Sequence, residues 1–566
     1  MRPAPSPSAR TRSAKSGSVL SALAVLAATA SAAEPVVLDG RFDEWAASDV
    51  LAAAPPDPAA GALAVGSVSA RSAGATLYLR VDIAETRNIQ SGRPDEGSVL
   101  VTISERDADG GPDRPVLHLD ARQRRLAVGP GAGAPALSWT AVRYESAPTF
   151  ASDRLEMRFD LAGLGVEPGD ELVIAAAGGP AANLAGPEPA AYVLDAPAAP
   201  PSRRSGDRPD DAEFRLASLN TERTGLFNGS QGPAIRRLLD GADAEVYALQ
   251  EEYNSSADAI KQIFDDLDPL GDGRPWNIHK NNDNVILSPA PLYPVQAFDR
   301  SYAAAVVDFG GGRSVLVLSV HPKCCGFIGS DEDELRIIQT EAMIQTVLLL
   351  RGADQTSDLR PFAASPVVIA GDWNLVGSRT PLTLTESELG LTDLLPRRLT
   401  GESTATWRTD RTTSGAFTPG RLDLIAADLD RLEALGSFVV ETGELDPAQL
   451  ASVGLGSAEG SLAALASDHL LLVADLAFRA GVPCLGDLTA DGVVDVSDFF
   501  AFAAAFGDGS DADADAERAV DPALHAAADL DGSGSVDRRD LEMLRARFGI
   551  RCPVPDPDPS DGAKAD

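Results

Sequence analysis

Polar side chains suited to phosphate chemistry follow an apolar segment in the middle of this 566-residue chain. The stretch PVVIAGDWNLVG, residues 366–377, is a strand-like run that stops at a glycine and then places Asp372 two residues before Asn374. A carboxylate can orient a water molecule, and an amide can donate a hydrogen bond to an anion. Because Asp and Asn after a strand are commonest as turn formers, this motif alone is a weak signal.

Further polar residues lie at the ends of neighbouring strand-like segments and strengthen this interpretation. They are Asn220 in FRLASLN, Glu251 in AEVYALQEE, His321 in LVLSVHPK, Asp423 in GRLDLIAAD, and Asp468 and His469 in SDHLLLVADL. Each of these residues alone has an ordinary explanation as a turn, surface or core residue. The ordered series predicts one polar site at which several strand ends meet.

The order of strand-Asn, LQE, strand-end His, GDxN, RxD and SDH resembles the endonuclease/exonuclease/phosphatase superfamily, in its deoxyribonuclease-like branch. The resemblance implies a catalytic domain over residues 213–479. It implies a four-layer α/β sandwich there, with two mostly antiparallel sheets inside and helices outside. It also implies hydrolysis of phosphodiester bonds.

The same resemblance assigns roles to individual residues. Glu251, Asn220 and Asp468 would bind or lie beside Mg²⁺ or Mn²⁺, with Ca²⁺ as a further candidate. Asp372 would orient or deprotonate the attacking water, and Asn374 would donate to a phosphate oxygen. The remaining catalytic residues are implied to be His469 held by Asp423, Asp468 near the metal, and His321 as general acid or phosphate ligand.

Three departures from the family pattern concern the surroundings of the site. Trp373 replaces the usual aromatic residue of GDFN, the arginine expected after the ILS strand is missing from VILSPAP, and HPKCC is an unusual sequence. Cys324 and Cys325 within it form either a strained bond between neighbours or two free thiols. Four arginines between GDWN and RLDLI form either a local phosphate grip or a charged surface loop: Arg397, Arg398, Arg408 and Arg411.

Composition limits how such a chain can bind its substrate. The formal net charge is -36, so general attraction to nucleic acid or anionic lipid is excluded, and any polyanion must be held by a local patch. The length of 566 residues suggests three or four folding units. A hydrophobic content of 44% allows each unit a core.

The N-terminus has the order of a secretory signal over residues 1–33. Basic residues precede the apolar run VLSALAVLAATA and the small residues Ala30, Ser31 and Ala32. The alternative is an uncleaved membrane anchor, but a spanning helix needs about 20 apolar residues. The sequence therefore predicts a secreted or cell-surface protein without a transmembrane segment after cleavage.

The next segment, residues 34–195, predicts an antiparallel β-sandwich because short alternating segments such as ATLYLRVDI and RLEMRFDL are separated by turn residues. Its opening, VVLDGRFDEWAASDVL, resembles the sandwich family that contains the family-nine carbohydrate-binding modules. The resemblance implies a glycan as a partner. A tryptophan at a position such as that of Trp45 is, however, more often a core residue than a platform for a sugar ring. Residues 196–212 are rich in proline and charge and predict a linker.

The C-terminal part, residues 484–552, contains two loops with the spacing of EF-hand calcium sites, each followed by an apolar helical pattern. The predicted Ca²⁺ ligands are Asp487, Thr489, Asp491, Asp495 and Asp498 in the first loop, and Asp529, Asp531, Ser533, Asp537 and Asp540 in the second. Aspartate at position 12 makes the small helical segment resemble a dockerin, which implies a cohesin-like or cell-surface partner. Cys484 and Cys552 bracket it and predict a disulfide, and residues 553–566 predict a disordered tail.

Taken together, these features predict a multidomain, secreted, divalent-metal-dependent phosphodiesterase, either an extracellular nuclease or a related phosphoesterase. One alternative is a phosphatase of the same superfamily that acts on phospholipids or inositol phosphates. The other is a non-catalytic adhesion protein in which the middle domain is a degenerate scaffold. The polar positions are all filled in this sequence, which favours an enzyme.

Overall fold

The computed structural model describes residues 36–550 except for 56, 91–96, 108, 131–132, 196–202, 272, 354–356, 409–416, 480–485, 490–492, 507–521 and 531–533. Several predicted features lie outside the described residues: the signal at 1–33, the tail at 553–566, Cys484, Cys552, Arg411, and the calcium ligands Asp491, Asp531 and Ser533. In the part that is described, no helix combines the length and the apolar character needed to cross a membrane.

Alternating apolar residues build the described part of residues 36–195 into two antiparallel sheets. The strands are β1 (Val50–Ala53), β2 (Val65–Ala73), β3 (Thr76–Arg87), β4 (Ser98–Glu105), β5 (Arg114–Asp120), β6 (Arg125–Ala127), β7 (Glu145–Ala147), β8 (Ser152–Asp160), β9 (Glu171–Gly179) and β10 (Ala190–Val193). One sheet has the order β1-β2-β3-β8-β7 and the other β10-β9-β4-β5-β6. Leu79 and Phe159 of the first sheet share a core with Val101 and Leu172 of the second, so apolar faces of both sheets are buried together.

Trp45 belongs to a small core at the start of this domain. Its ring packs with Val36 and Tyr78, and its side chain is 8% exposed. The indole Nε1 donates to Oε2 of Glu156 over 3.2 Å. Trp45 is therefore a structural residue and not an exposed sugar platform, and glycan binding by this domain stays a prediction.

The middle of the chain is built from thirteen strands and six α-helices among its described residues. The strands are β11 (Phe214–Asn220), β12 (Val246–Gln250), β13 (Asn277–Asn281), β14 (Asn284–Ser288), β15 (Leu292–Pro294), β16 (Tyr302–Gly310), β17 (Arg313–Val320), β18 (Val367–Asp372), β19 (Thr392–Asp393), β20 (Arg397–Arg398), β21 (Asp423–Ala427), β22 (Leu432–Val440) and β23 (Leu471–Phe478). The helices are α1 (Gly232–Ala242), α2 (Ala257–Leu267), α3 (Asp331–Arg351), α4 (Thr380–Leu389), α5 (Pro447–Ser452) and α6 (Leu462–Ala466). Short 3₁₀ helices lie in the middle of the chain at Gly225–Phe227, Arg360–Phe362 and Thr442–Glu444. The N-terminal sandwich has further 3₁₀ helices at Ala47–Asp49, Pro58–Leu63, Trp139–Val142 and Ala162–Leu164.

These strands form two mixed sheets that pack face to face. The first has the order β13-β14-β12-β11-β23-β22-β20 and the second β15-β16-β17-β18-β21-β19, and most neighbours are antiparallel. Leu216 and Ile425 lie in the core between the sheets. Alternate residues point outward, so Leu219 packs toward α1 in one outer core and Ile369 lies in the other with residues of α3. The arrangement is four-layered, with helices outside.

The C-terminal segment contains α7 (Val496–Ala505), α8 (Pro522–Ala528) and α9 (Arg538–Arg547). Asp495 and Asp537 cap α7 and α9, each in a capping box with the aspartate three residues later. Phe502 of α7 and Leu544 of α9 share a core that also includes Ala363 of the middle domain.

The predicted linker at residues 196–212 is bound to the middle domain where it is described. The Gly206 amide donates to Oγ of Ser452 over 2.9 Å, and the Arg204 amide donates to the Leu399 carbonyl over 2.9 Å. Residues 203–212 therefore form part of the surface of the middle domain, because their backbone groups have partners there.

The N-terminal and middle domains are joined by buried charges. Glu145 lies between Arg158 of its own domain, at 3.6 Å, and Arg398 of the middle domain, at 2.6 Å. Arg158 reaches Glu402 over 2.8 Å, and Arg398 reaches Glu444 over 2.9 Å. Arg398 thus belongs neither to a phosphate grip nor to an exposed loop, the two alternatives drawn from the sequence.

Candidate active site

The predicted polar residues lie at adjoining ends of the two middle sheets. Strands β11 and β12 are parallel, with Asn220 paired to Gln250, so Glu251 follows at the same edge. Strands β17 and β18 are also parallel, and the register from Val320 to Gly371 places His321 beside Asp372. Parallel neighbours end at the same edge of a sheet, which explains how residues far apart in sequence meet here.

Asp372 is the centre of this group. It is 2% exposed, its Oδ1 accepts from the Asn374 amide over 3.0 Å, and its Oδ2 accepts from Nδ2 of Asn220 over 3.1 Å. Burial raises the pKa of Asp372 to about 6, although the charges of His469 and His321 oppose this effect. The carboxylate is thus fixed by two hydrogen bonds.

His469 is held against Asp372 by Asp423. Asp423 pairs with Asp372 in the β18–β21 register, and its Oδ2 lies 2.8 Å from Nδ1 of His469. Nε2 of His469 lies 3.7 Å from Oδ2 of Asp372. Burial lowers the pKa of His469, but the charges of Asp423 and Asp372 outweigh burial and raise it to about 10.

His321 occupies a matching position on the other side of Asp372. Its Nδ1 lies 2.6 Å from Oδ2 of Asp283, and its Nε2 lies 3.7 Å from Asp372 and 3.8 Å from Glu251. Burial lowers the pKa of His321, but the hydrogen bond to Asp283 and the charges of Asp372 and Glu251 raise it to about 9. The site therefore contains two histidines, each held through Nδ1 by a buried aspartate.

Asp283 is absent from the residues predicted from the sequence. It lies in NNDN, directly before β14, and is 2% exposed. Its position at a strand start is the one signal that could have drawn attention to it, but nothing in the local pattern links it to His321, 38 residues later. Only the pairing of strands brings the two together.

Glu251 and Asn220 form the oxygen-rich side of the site. Oε1 of Glu251 accepts from Nδ2 of Asn220 over 3.1 Å, and Oε2 accepts from the Arg223 amide over 2.9 Å. The backbone of Glu251 has a φ of 64°, an uncommon conformation for a residue other than glycine. Glu252 points elsewhere: it is fully buried and accepts from the hydroxyl of Thr221 over 2.7 Å.

Asn374 and Asp468 lie at the margins of this group. Asn374 is 6% exposed, has a φ of 50°, and donates from Nδ2 to the Pro322 carbonyl over 3.2 Å. Asp468 is partly exposed; its carbonyl accepts from the Arg408 amide over 2.9 Å, and its charge contributes to raising the pKa of His469. Among the described residues, no hydrogen bond joins the Asp468 carboxylate to the other predicted site residues.

The backbone at position 371, directly before Asp372, requires glycine. Its φ is 146°, and a Cβ there would lie 2.3 Å from the Val320 carbonyl oxygen of the neighbouring strand. No other residue fits this close approach of β17 and β18 without a backbone shift. Glycine at this position therefore allows the strands to deliver His321 and Asp372 side by side.

The cysteine pair lies just beyond His321. Both residues are free thiols, with Sγ atoms 2.9 Å apart, so the structure favours the second of the two predicted states. Arg336 of α3 fixes this loop by donating from Nη1 to the carbonyls of Lys323 and Cys325 over 2.7 and 2.8 Å.

Two sets of residues could hold a metal ion here. Asp372, Asp423 and His469 place their ligand atoms within 4.8 Å of one another. A protonated imidazole has no lone pair for a metal, and the raised pKa of His469 favours that form. The carboxylate of Glu251 offers oxygen atoms, which Mg²⁺ and Mn²⁺ prefer, and fits a divalent ion better. The neighbouring Asn220 donates to this carboxylate from Nδ2 and accepts with Oδ1 from the Glu222 amide.

Comparison with known families gives two matches. A model of the Endonuclease/Exonuclease/phosphatase family matches residues 217–469, and a model of the Dockerin type I domain matches residues 485–549. No curated protein matches the chain.

Solved structures that resemble the chain cover just under half of its length. TDP2 of D. rerio in complex with a single-strand DNA product is 14% identical, with 46% of this chain and 98% of that chain covered and a TM-score of 0.31. The human Nocturnin catalytic domain is 15% identical, with 47% and 94% covered and a TM-score of 0.30. Beta toxin 275-280 from Staphylococcus aureus is 17% identical, with 46% and 99% covered and a TM-score of 0.30.

Proposed function

We propose that this chain is a secreted, divalent-metal-dependent phosphodiesterase, because residues 217–469 match the endonuclease/exonuclease/phosphatase family and residues 485–549 match the dockerin type I domain. Nucleic acid is the first substrate candidate, and a phospholipid or an inositol phosphate is the second. The two families support a phosphoester substrate and a cohesin-like partner, respectively.

One observation carries the proposal: two aspartate-held histidines converge on one buried carboxylate. His321 and His469 each place Nε2 3.7 Å from Oδ2 of Asp372. A non-catalytic scaffold has no need to bury three aspartates and two histidines together, because buried charges are costly unless they are paired. Such a cluster with shifted pKa values is typical of catalytic sites.

The residues divide the work of hydrolysis among them. Asp372 orients the attacking water and accepts its proton, because its carboxylate is fixed by Asn220 and by the Asn374 amide. His469 donates from Nε2 to a phosphoryl oxygen as negative charge builds there. His321 lies on the opposite side of Asp372 and donates to the phosphate or to the departing oxygen.

Asp283 and Asp423 hold the two histidines in position. Each binds Nδ1 of its histidine, so Nε2 is left to face the reaction. Holding donors in place before the substrate arrives lowers the cost of reorganising the site during reaction. Both aspartates are positioning residues in this mechanism.

Glu251 offers carboxylate oxygens for a divalent ion, and Asn220 supports this carboxylate by donating from Nδ2 to Oε1 over 3.1 Å. Asp468 is the third residue proposed for the metal site. When bound, the ion would neutralise charge on the phosphoryl oxygens. The protein contributes the fixed carboxylate of Glu251, which the Arg223 amide also orients. Mg²⁺ and Mn²⁺ are the first candidates, since both prefer oxygen ligands.

The dockerin type I segment supports an extracellular setting and a docking partner. Asp495 and Asp537, two of the predicted calcium ligands, cap α7 and α9. We expect Ca²⁺ in the two predicted loops and a cohesin-like module as the partner. The predicted signal at residues 1–33 is consistent with export.

The test is a substrate panel with the full chain. We expect turnover of a generic aryl phosphodiester and of at least one of plasmid DNA, RNA, sphingomyelin and inositol phosphates, in the presence of Mg²⁺ or Mn²⁺. The matched control is Asp372→Asn, which should remove activity on every active substrate. Wild-type protein that is folded, metal-loaded and inactive on the whole panel would favour the adhesion-protein alternative.

A further inference from the structure

A loop of the N-terminal sandwich contacts two loops that extend from the candidate active site. Asn88 follows β3 and is 3% exposed. Its Nδ2 donates to the carbonyls of Val376 and Gly377 over 2.9 and 3.1 Å, and its Oδ1 accepts from the Ile328 amide over 2.6 Å. One amide side chain therefore binds three backbone groups of another domain.

Those backbone groups belong to two loops that carry site residues. Val376 lies two residues after Asn374, and its own amide donates to the Asn374 carbonyl over 2.7 Å. Ile328 lies in the loop that begins at His321 and contains the cysteine pair. Asn88 thus joins the loop after Asp372 to the loop after His321.

Two other sandwich residues contact the same loop. Oγ1 of Thr149 lies 2.7 Å from the Leu375 carbonyl and 3.1 Å from the Arg421 carbonyl. The Ala151 amide donates to the Gly377 carbonyl over 2.7 Å. Residues 375–377 are therefore bound along their length by the sandwich.

The backbone conformation of Asn374 links these contacts to the candidate active site. Its φ of 50° is one that asparagine tolerates but that costs energy relative to an ordinary backbone. Such a conformation persists when the surroundings fix it. The surroundings here include Pro322, which binds the Asn374 side chain, and Val376, whose carbonyl is bound by Asn88.

We infer that the N-terminal sandwich is part of the catalytic unit and that Asn88 is a positioning residue for the loops that carry Asn374 and His321. The inference rests on the proposed phosphodiesterase function and names residues outside the matched family segment. It assigns the sandwich a task at the active site that is separate from any binding of glycan.

The test compares two buried amides of the same loop in the full chain. Asn88→Leu removes the hydrogen bonds to the middle domain while keeping the number and branching of the side-chain heavy atoms. The matched control is Gln90→Met: Gln90 is 8% exposed and donates to Oγ of Ser146 over 2.6 Å, within the sandwich. Kinetics are measured on an aryl phosphodiester with saturating Mg²⁺, well below the melting temperature of each variant.

We expect Asn88→Leu to lower kcat by on the order of 10²-fold with little change in KM, because a small displacement of catalytic groups has that effect. Gln90→Met should keep kcat near that of the unaltered protein, whatever its melting temperature. Asn88→Asp keeps the acceptor for Ile328 but turns an oxygen toward two carbonyl oxygens, so it should lose kcat as Asn88→Leu does.

A second variant keeps the test open if Asn88→Leu does not fold. Thr149→Val has the same shape and removes the hydroxyl at the Leu375 carbonyl, and we expect kcat to fall by roughly tenfold. An inactive wild-type protein would refute the proposed function itself. An active wild type with full kcat in folded Asn88→Leu and Thr149→Val, or an equal loss in Gln90→Met, would overturn the positioning role.

Discussion

At the scale of residues, the two histidines share one design. His321 and His469 come from different sheets, yet each is bound at Nδ1 by a buried aspartate and faces Asp372 with Nε2. The two Nδ1 contacts, 2.6 and 2.8 Å, fix the ring orientation before a substrate binds. The design predicts that losing a histidine affects the reaction more than it affects binding.

His469→Ala tests this prediction. We expect kcat on the best substrate to fall by about 10²-fold or more, with KM changed little, because the donor acts as charge develops. Steady-state kinetics with melting curves as the folding control check it. Near-normal kcat in both His469→Ala and Asp372→Asn would mean that the family mechanism does not operate in this chain.

Glu251→Gln separates metal binding from water activation. The change keeps the shape of the side chain but removes its charge, so activity should fall and be partly recovered at higher Mg²⁺ concentration. Asp372→Asn should not be recovered by added metal, since its defect lies in orienting the water. Activity is measured over a metal titration.

Glu252→Gln is the matched control for that titration. Glu252 is buried and binds the hydroxyls of Thr221 and Ser255, away from the site. Its replacement should leave the metal dependence unchanged. If the Glu251 and Glu252 variants shift the metal titration equally, Glu251 is not a metal ligand.

Most of the residues assembled at the site could be predicted because they end strands in a recognisable order. Asn220, Glu251, His321, Asp372 and His469 meet as the strand pairing requires, although their roles stay predictions. Asp283 could not be predicted, because its contact with His321 depends on where a turn places it beside another strand. The Asn374 side chain contacts the Pro322 carbonyl, and no sequence pattern predicts this contact.

At the scale of elements, Glu156 of β8 fixes the start of the N-terminal domain. Its Oε1 accepts from the amides of Asp39 and Gly40 over 2.8 and 2.6 Å, and its Oε2 accepts from Trp45. Burial is the main cause that raises the pKa of Glu156, to about 8. This strand therefore carries a carboxyl group that keeps its proton at neutral pH.

A pH dependence of stability follows from that group. The unfolded chain releases the proton near the ordinary value of 4.5, whereas the folded chain holds it to about pH 8. Between these values the folded state binds more protons, so the free energy of unfolding falls as pH rises, by at most about 1.4 kcal/mol per pH unit. The stabilisation is fully present below about pH 4.5 and is lost above about pH 8.

Glu156→Gln measures this contribution by difference. We expect the gap between wild-type and variant unfolding free energies to change across that window, as followed by denaturant titrations at several pH values. Glu188→Gln, at an exposed position, serves as the control. A constant gap for Glu156→Gln would show that the carboxyl group ionises normally.

Element types were largely predictable, and element contacts were not. Period-2 alternation located β3 and β8, and apolar runs located β17 and β18, since side-chain burial imposes those patterns. The chain at residues 203–212 reads as a linker from composition, yet it pairs with the middle domain through Arg204 and Gly206. Such contacts depend on the partner surface, which a local pattern does not contain.

At the scale of the whole molecule, the C-terminal module is attached to the middle domain. Arg360 donates from Nε to the Phe548 carbonyl over 3.1 Å and also binds the Ala546 carbonyl. Within the module, Asp498 is buried and accepts from the amides of Leu488 and Thr489 over 2.7 and 2.9 Å. Asp498, one of the predicted ligands, thus joins the described start of the first predicted calcium loop to its end.

Calcium should stabilise this module in the full chain. A ligand that binds only the folded state adds about 2.7 kcal/mol at a hundred times its Kd, so the melting transition of the module should rise between chelator and millimolar Ca²⁺. Calorimetry checks this rise. Asp498→Ala should weaken the response, and Asp258→Asn on the exposed face of α2 should not. An unchanged melt in the wild type would refute calcium binding.

The charges buried between the first two domains bear on how such a chain can be rearranged in evolution or by design. Arg158 and Arg398 are 3% and 4% exposed, and both pair with Glu145, Arg158 within the sandwich and Arg398 across the domain boundary. Exchanging the sandwich for an unrelated module would remove one of the two carboxylates that pair with the buried Arg398 and leave only Glu444, and a buried charge is costly when its pairing is reduced. The smallest transferable cassette therefore begins before β1, at the segment that contains Leu38 and Trp45, and ends with β23, and shuffling at the apparent linker would separate residues that pair in the folded chain.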